Sequence, residues 1–165
     1  MRIEIQKWIF DVDVDKTQQY TKMNLREHCE CGYCRNYYMA LGGVYPLLKP
    51  FLVQFGAHPD APVDFLPIEP TLCIVSYAVS GVVVQRGPQP ISLDGLLLDV
   101  EDQSVLDYEL RCPKPYFVFT TDYIELPWLL SEDKNEVISP ANEPEALKRM
   151  WRKVLERVKS SEISS

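Results

Sequence analysis

Apolar and polar residues alternate from the start of the chain, and the alternation changes phase once. Ile3 and Ile5 share one parity, whereas Trp8, Phe10, Val12 and Val14 share the other. Successive strand side chains point to opposite faces, so a turn or bulge at Gln6-Lys7 is needed to reconcile the two sets. Asp15, with Gln18 three residues on, has the form of a capping box and predicts a short helix to about Asn24. Tyr20 and Met23 are its main apolar anchors. Further on, Tyr37, Leu41, Val44, Leu48, Leu52 and Phe55 recur at spacings of three and four, the period of one buried helical face. Gly42-Gly43 and Pro46 divide this stretch into two helices, with Pro46 near the start of the second. Pro50 is expected to kink that second helix, and Gly56 is placed to end it.

The pattern then changes. Residues 57–70 hold four of the thirteen prolines and read as an extended connection. Segments 71–85, 91–100, 105–111 and 116–126 are rich in Val, Ile, Leu and aromatics and are separated by short turn-forming stretches. Such turns join antiparallel strands, because a parallel crossover needs about a dozen residues or more. A meander of four or five strands is predicted. A final helix at about 143–159 carries a cap pattern at Asn142 and Glu145 and an apolar stripe of Leu147, Met150, Trp151, Val154, Leu155 and Val158. Lys148, Arg149, Arg152, Lys153 and Lys159 lie on its opposite, solvated face. The whole reads as a single α+β domain over 1–165: a helical part at about 15–56, a sheet at about 71–126, and the last helix. Helices are expected on one side of a mostly antiparallel four- to five-stranded sheet.

Composition narrows the function classes. At 165 residues the chain can bury a core without covalent staples. A net charge of −7 disfavours a nucleic-acid or anionic-membrane surface and suits, at most, a basic protein partner. The first residues lack the apolar run of a signal peptide, and no segment approaches the ~18 apolar residues that span a bilayer. A cytoplasmic protein is expected, and there thiols stay reduced unless they react or bind metal. Five cysteines, an odd number, exclude a complete disulfide framework.

Three of the five cysteines fall in His28-Cys29-Glu30-Cys31-Gly32-Tyr33-Cys34. This cluster supports three readings. In the first, Cys29, Cys31 and Cys34 bind zinc: alternate residues of an extended chain point the same way, and Cys31-Gly-Tyr-Cys34 forms a C-x-x-C knuckle in which Gly32 permits the tight turn. Cys112, Cys73, His58 and His28 are the candidates for a fourth ligand. In the second, Cys31 and Cys34 are a redox dithiol, with a following helix and Arg35 lowering the pKa of Cys31. In the third, the thiols are small, reduced residues where a loop meets the core, a description that fits Cys73 and Cys112 as well. Asp11, Asp13 and Asp15 imitate the start of a calcium loop, but Lys16 stands where glycine is required and Lys22 where a bidentate glutamate is required. On a strand they simply share its solvent face. No nucleophile elbow, zinc-protease helix motif or phosphate loop is present.

Two resemblances follow. Cys31-Gly32-Tyr33-Cys34 is similar to the thioredoxin motif, and Ile68-Glu69-Pro70-Thr71-Leu72 resembles that family's segment around its cis-proline. The polar stretch 24–30 departs from the buried strand the family places before its dithiol, and 57–70 is too short for the intervening strand and helix. Cys29-x-Cys31-x-x-Cys34-Arg35-Asn36-Tyr37, after a strand with Trp8 and Asp11 and with the later Glu125-Leu126-Pro127-Trp128, resembles an uncharacterised family of small bacterial proteins. That likeness implies a bacterial protein and no particular activity. The expectation is a binding or interaction module, more than an enzyme, whose cysteine loop is a candidate structural-zinc site. A thiol-disulfide oxidoreductase using Cys31 and Cys34 is the alternative, and an acidic inhibitor or immunity-type protein the second alternative.

Overall fold

The computed structural model describes residues 1–106 and 109–135. The helix expected at 143–159 lies outside the described residues. Arg2–Ile5 (β1) and Trp8–Val12 (β2) form an antiparallel hairpin. The phase change falls on its turn, where Gln6 and Lys7 take φ of 49° and 70°, the left-handed pair of a two-residue I′ turn. Val14–Arg26 (α1) follows at once. Its cap is Asp13, whose carboxylate accepts from the Lys16 amide at 3.1 Å, two residues ahead of the expected Asp15. The three aspartates therefore do not share a strand face: Asp11 lies on β2, Asp13 caps the helix and Asp15 occupies its first turn.

Gly32–Val44 (α2) and Leu48–Val53 (α3) are the two expected helices, with Pro46 in the turn between them. Pro50 stands in the first turn of α3, where an amide has no intrahelical acceptor, so the kink expected there has no cause. Gly56 closes α3 with φ of 84°. A Cβ at Gly56 would meet the Val14 carbonyl oxygen at 2.6 Å, so both backbone conformation and proximity to α1 require glycine.

The remaining strands are Asp64–Glu69 (β3), Leu72–Gln85 (β4), Ile91–Leu93 (β5), Leu96–Asp102 (β6), Tyr116–Thr121 (β7) and Ile124–Glu125 (β8). They complete an antiparallel sheet of eight strands, larger than the four or five expected. Four differences account for this, the first being that the segment at 116–126 forms two strands, β7 and β8. The amino-terminal hairpin joins the same sheet. The proline-rich connection supplies β3, which tolerates Pro67 because its register shifts there. The segment at 91–100 is a hairpin, turned at Asp94 and Gly95 with φ of 52° and 92°. By contrast, no strand forms among the described residues of 105–111, where Gln103–Val105 makes a 3₁₀ turn. The order β1-β2-β4-β7-β6-β5 is no simple meander, because β7 inserts between β4 and β6.

β4 is the spine. Along one edge it pairs first with β3 and then with β2; along the other it pairs first with β8 and then with β7. Between the β3 and β2 stretches α1 meets it, Thr17 Oγ1 accepting from the buried Ser80 amide at 3.0 Å and donating to the Asp13 carbonyl at 2.8 Å. Cys73, Val75, Tyr77 and Val79 of β4 face the main core. There Phe51 of α3 and Phe55 of the turn after it meet Phe10, Phe117 and Phe119, with ring centroids 4.9–6.5 Å apart. Ala78, on the other face, joins Tyr20, Cys112, Tyr116 and Val118 in a smaller cluster. The helices are thus not all on one side: α2 and α3 cover the main face, whereas α1 sends Val14 toward the main core and Tyr20 to the other cluster.

Candidate metal centre

The loop between α1 and α2 brings Cys29, Cys31 and Cys34 together. Their three sulfurs all lie within 4.8 Å of one another, and none is in a disulfide. Cys29 and Cys31 are exposed and Cys34 is buried. Local geometry explains the convergence. Cys31 is the N-cap of α2, extended at φ −65° and ψ 162°, and Cys34 stands one helical turn beyond it. Residues three apart across a helix start face the same side. Cys29 is drawn in from the preceding loop, where its Sγ accepts from the Cys31 amide at 3.4 Å. The Cys29 carbonyl accepts from the Tyr38 hydroxyl at 3.2 Å, tying that loop to the helix.

The helix end also sets the charge state. Cys31 is held down to about 5, chiefly because it accepts a hydrogen bond from the Cys34 thiol, and further through the Cys34 amide, the Cys29 side chain and the Tyr33 amide. These amides are the unpaired donors of the first helical turn, which favour a negative charge. Cys34 moves the opposite way: the bond to Cys31 retains its proton, and burial adds to the effect. Burial pushes Cys73 and Cys112 up to about 12 each. Only the loop, therefore, provides sulfur that ionises readily.

None of the other soft donors joins the group. Cys73 lies in the main core and Cys112 in the cluster on the opposite sheet face. His58 turns Nδ1 to the Asp60 amide at 3.1 Å. His28 bonds through Nδ1 to the Leu25 carbonyl at 2.7 Å and packs edge-on against Tyr38. No described carboxylate joins the three sulfurs either. The bond before Pro70 is trans, because the one cis bond among the described residues is Lys114–Pro115. Pro70 and Thr71 nonetheless share with Tyr33 of α2 a narrow crevice of ≈ 10 Å³.

The residues after Cys34, quoted in the sequence only for a resemblance, form a frame around the loop. Arg35 makes a two-pronged bond to the Glu132 carboxylate at 2.8 and 2.6 Å and donates to the Glu30 carbonyl at 3.0 Å. The pair holds the Glu132 carboxyl below its ordinary range. Asn36 is buried; it donates to the Pro127 carbonyl at 3.1 Å and accepts from the Leu129 amide at 2.7 Å. Tyr37 runs into the core, sharing a hydrogen bond with the Tyr77 hydroxyl and donating to the Pro59 carbonyl at 2.9 Å. The Cys34-Arg-Asn-Tyr run and the Leu126-Pro-Trp run, quoted together in the sequence as parts of one pattern, are in contact through Asn36.

Three thiolates on a tetrahedral zinc ion at ~2.3 Å stand roughly 3.8 Å apart, so closing these sulfurs onto one ion asks for shifts of about 1 Å or less. No helix among the described residues is long and apolar enough to cross a membrane. Comparison of the chain with family models, curated proteins and solved structures finds no match.

Proposed function

We propose that the chain is a metal-binding interaction module in which Cys29, Cys31 and Cys34 are thiolate ligands to one zinc ion. The observation that carries this reading is the convergence of three unbonded sulfurs within 4.8 Å at a helix start. Amide donors on the Cys29 and Cys31 sulfurs support it, because such hydrogen bonds orient thiolate ligands and stabilise their charge. Zinc would displace the Cys34 proton and tie the loop after α1 to α2. The ion then organises a surface for a partner protein. Neither a nucleic acid nor a membrane is invoked.

Elemental analysis of protein purified under reducing conditions without chelators tests the proposal. About one zinc per chain is expected, falling at least tenfold in Cys31→Ser and Cys34→Ser. Metal-free wild-type protein would end the reading. A second reading rests on the asymmetry between Cys31, held down to about 5, and its protonated neighbour Cys34. That is the division of labour in a thiol-disulfide oxidoreductase, with an exposed attacking thiolate and a buried resolving thiol. Its test is a reversible Cys31–Cys34 disulfide in the metal-free protein together with turnover of a disulfide substrate. Inert thiols would dismiss it.

A further inference from the structure

No further cysteine, histidine or carboxylate among the described residues stands with the three sulfurs to complete a four-coordinate site. Cys73 and Cys112 are buried in clusters on opposite faces of the sheet. His58 and His28 each spend Nδ1 on a backbone group, the Asp60 amide and the Leu25 carbonyl, and neither ring belongs to the group of converging sulfurs. Residues 107–108 and 136–165 contain no cysteine or histidine. Among the described carboxylates none joins the sulfurs, and Glu132 is engaged by both prongs of Arg35. Cys29 and Cys31 are nevertheless exposed, so solvent reaches the side of the site away from the buried Cys34. Structural zinc sites are closed by four protein ligands, whereas three ligands with one open position mark sites that take an exogenous group.

From this we infer that the site takes an exogenous thiol as its fourth ligand. The inference rests on the proposed three-thiolate metal centre. Three sulfurs make the ion soft, so a fourth sulfur is preferred over water or a carboxylate. The exchange balances simply: a water leaves the ion, the thiol sulfur takes its place, and the thiol proton passes to solvent. The added negative charge lies at the start of α2, beside Arg35, whose guanidinium is close enough to Cys31 for their charges to interact. A small thiol and a cysteine on a partner protein share this chemistry.

Cobalt(II) in place of zinc makes the proposal measurable, because sulfur-to-cobalt charge-transfer absorption scales with the number of bound thiolates. The probe is full-length protein loaded with cobalt alone and titrated with glutathione, with a single-cysteine peptide, and with imidazole as a nitrogen donor. Glutathione or the peptide is expected to raise the charge-transfer band by about a third, saturating at one per cobalt; whichever acts at the lower concentration identifies the source. Imidazole is expected to bind at least tenfold more weakly, and His28→Ala to behave like wild type. An unchanged band, preferential imidazole binding, removal of cobalt by the thiol, or a spectrum that His28→Ala alters before any thiol is added would each overturn the inference while leaving the metal centre intact. Failure to bind cobalt at all would instead refute the metal centre itself.

Discussion

At the scale of the residue, two side chains account for most of what the loop can do. Cys31 is ionised across the physiological range because the α2 start and the Cys34 thiol supply hydrogen bonds to its sulfur. In reduced, metal-free protein its alkylation by iodoacetamide should therefore rise as pH is raised through about 5 and level off above it. A free cysteine in the unfolded chain titrates near ~8.5. Site-resolved mass spectrometry across pH separates the two, and a midpoint near the unfolded value would contradict the hydrogen-bonded thiolate. Asn36 acts structurally. Asn36→Ala leaves the Pro127 carbonyl and the Leu129 amide without their partner, a loss of about 1–3 kcal/mol. Urea titration should show that loss, and limited proteolysis should cut earlier near 127–132. The cysteine spacing was readable from the sequence as a knuckle ahead of a helix; that Cys31 itself caps α2 and Cys34 stands in its first turn was not. Nor was the role of Asn36, because its partners lie more than ninety positions away and backbone groups have no sequence signature.

At the scale of the element, the instructive part is where β4 passes from one edge partner to the next. The Ser80 amide is buried and finds its acceptor in a helix side chain, Thr17 Oγ1, instead of a strand. Thr17→Val keeps the shape and removes that acceptor. A destabilisation of about 1–3 kcal/mol is expected by urea titration, larger than for Thr17→Ser, which retains the hydroxyl. A neutral Thr17→Val would mean that the amide finds another partner. A cap signal located α1, hydrophobic period with its glycine and proline breaks located α2 and α3, and apolar composition between turn signals identified β4 as one long strand. Composition failed where chemistry punctuates the pattern: Asp94-Gly95 is a strong I′ turn signal inside what reads as one strand. It also failed at β3, where Pro67 argues against a strand until the register shift beside Glu69 removes the conflict.

At the scale of the whole molecule, the cysteine loop and the main core are coupled through one helix. Tyr37 anchors α2 in the core, while the start of α2 supports the sulfurs. Phe10, Phe51, Phe55, Phe117 and Phe119 pack against one another in the main core, which the loop residues Cys29 and Cys31 do not join. The fold should therefore survive loss of metal but weaken. An ion that binds only the folded chain stabilises it by about 4 kcal/mol when present at a thousandfold excess over its Kd. Adding a strong chelator should lower the urea midpoint of zinc-loaded protein without changing the slope of the transition, as read by circular dichroism. Complete unfolding on chelation would show that the core depends on the loop.

The central strand also bears on how this chain is made. By the time Gln85 leaves the ribosome, β4 can already be paired with β3 and β2 along one edge. Its other edge waits for β7 and β8, which are not complete until Glu125 has been synthesised. Over that interval of about forty residues a nascent chain presents a long, apolar, unpaired edge, the kind on which strands of neighbouring chains add. Shielding of that edge during translation, more than the stability of the finished sheet, would then govern how much of the protein reaches its folded form.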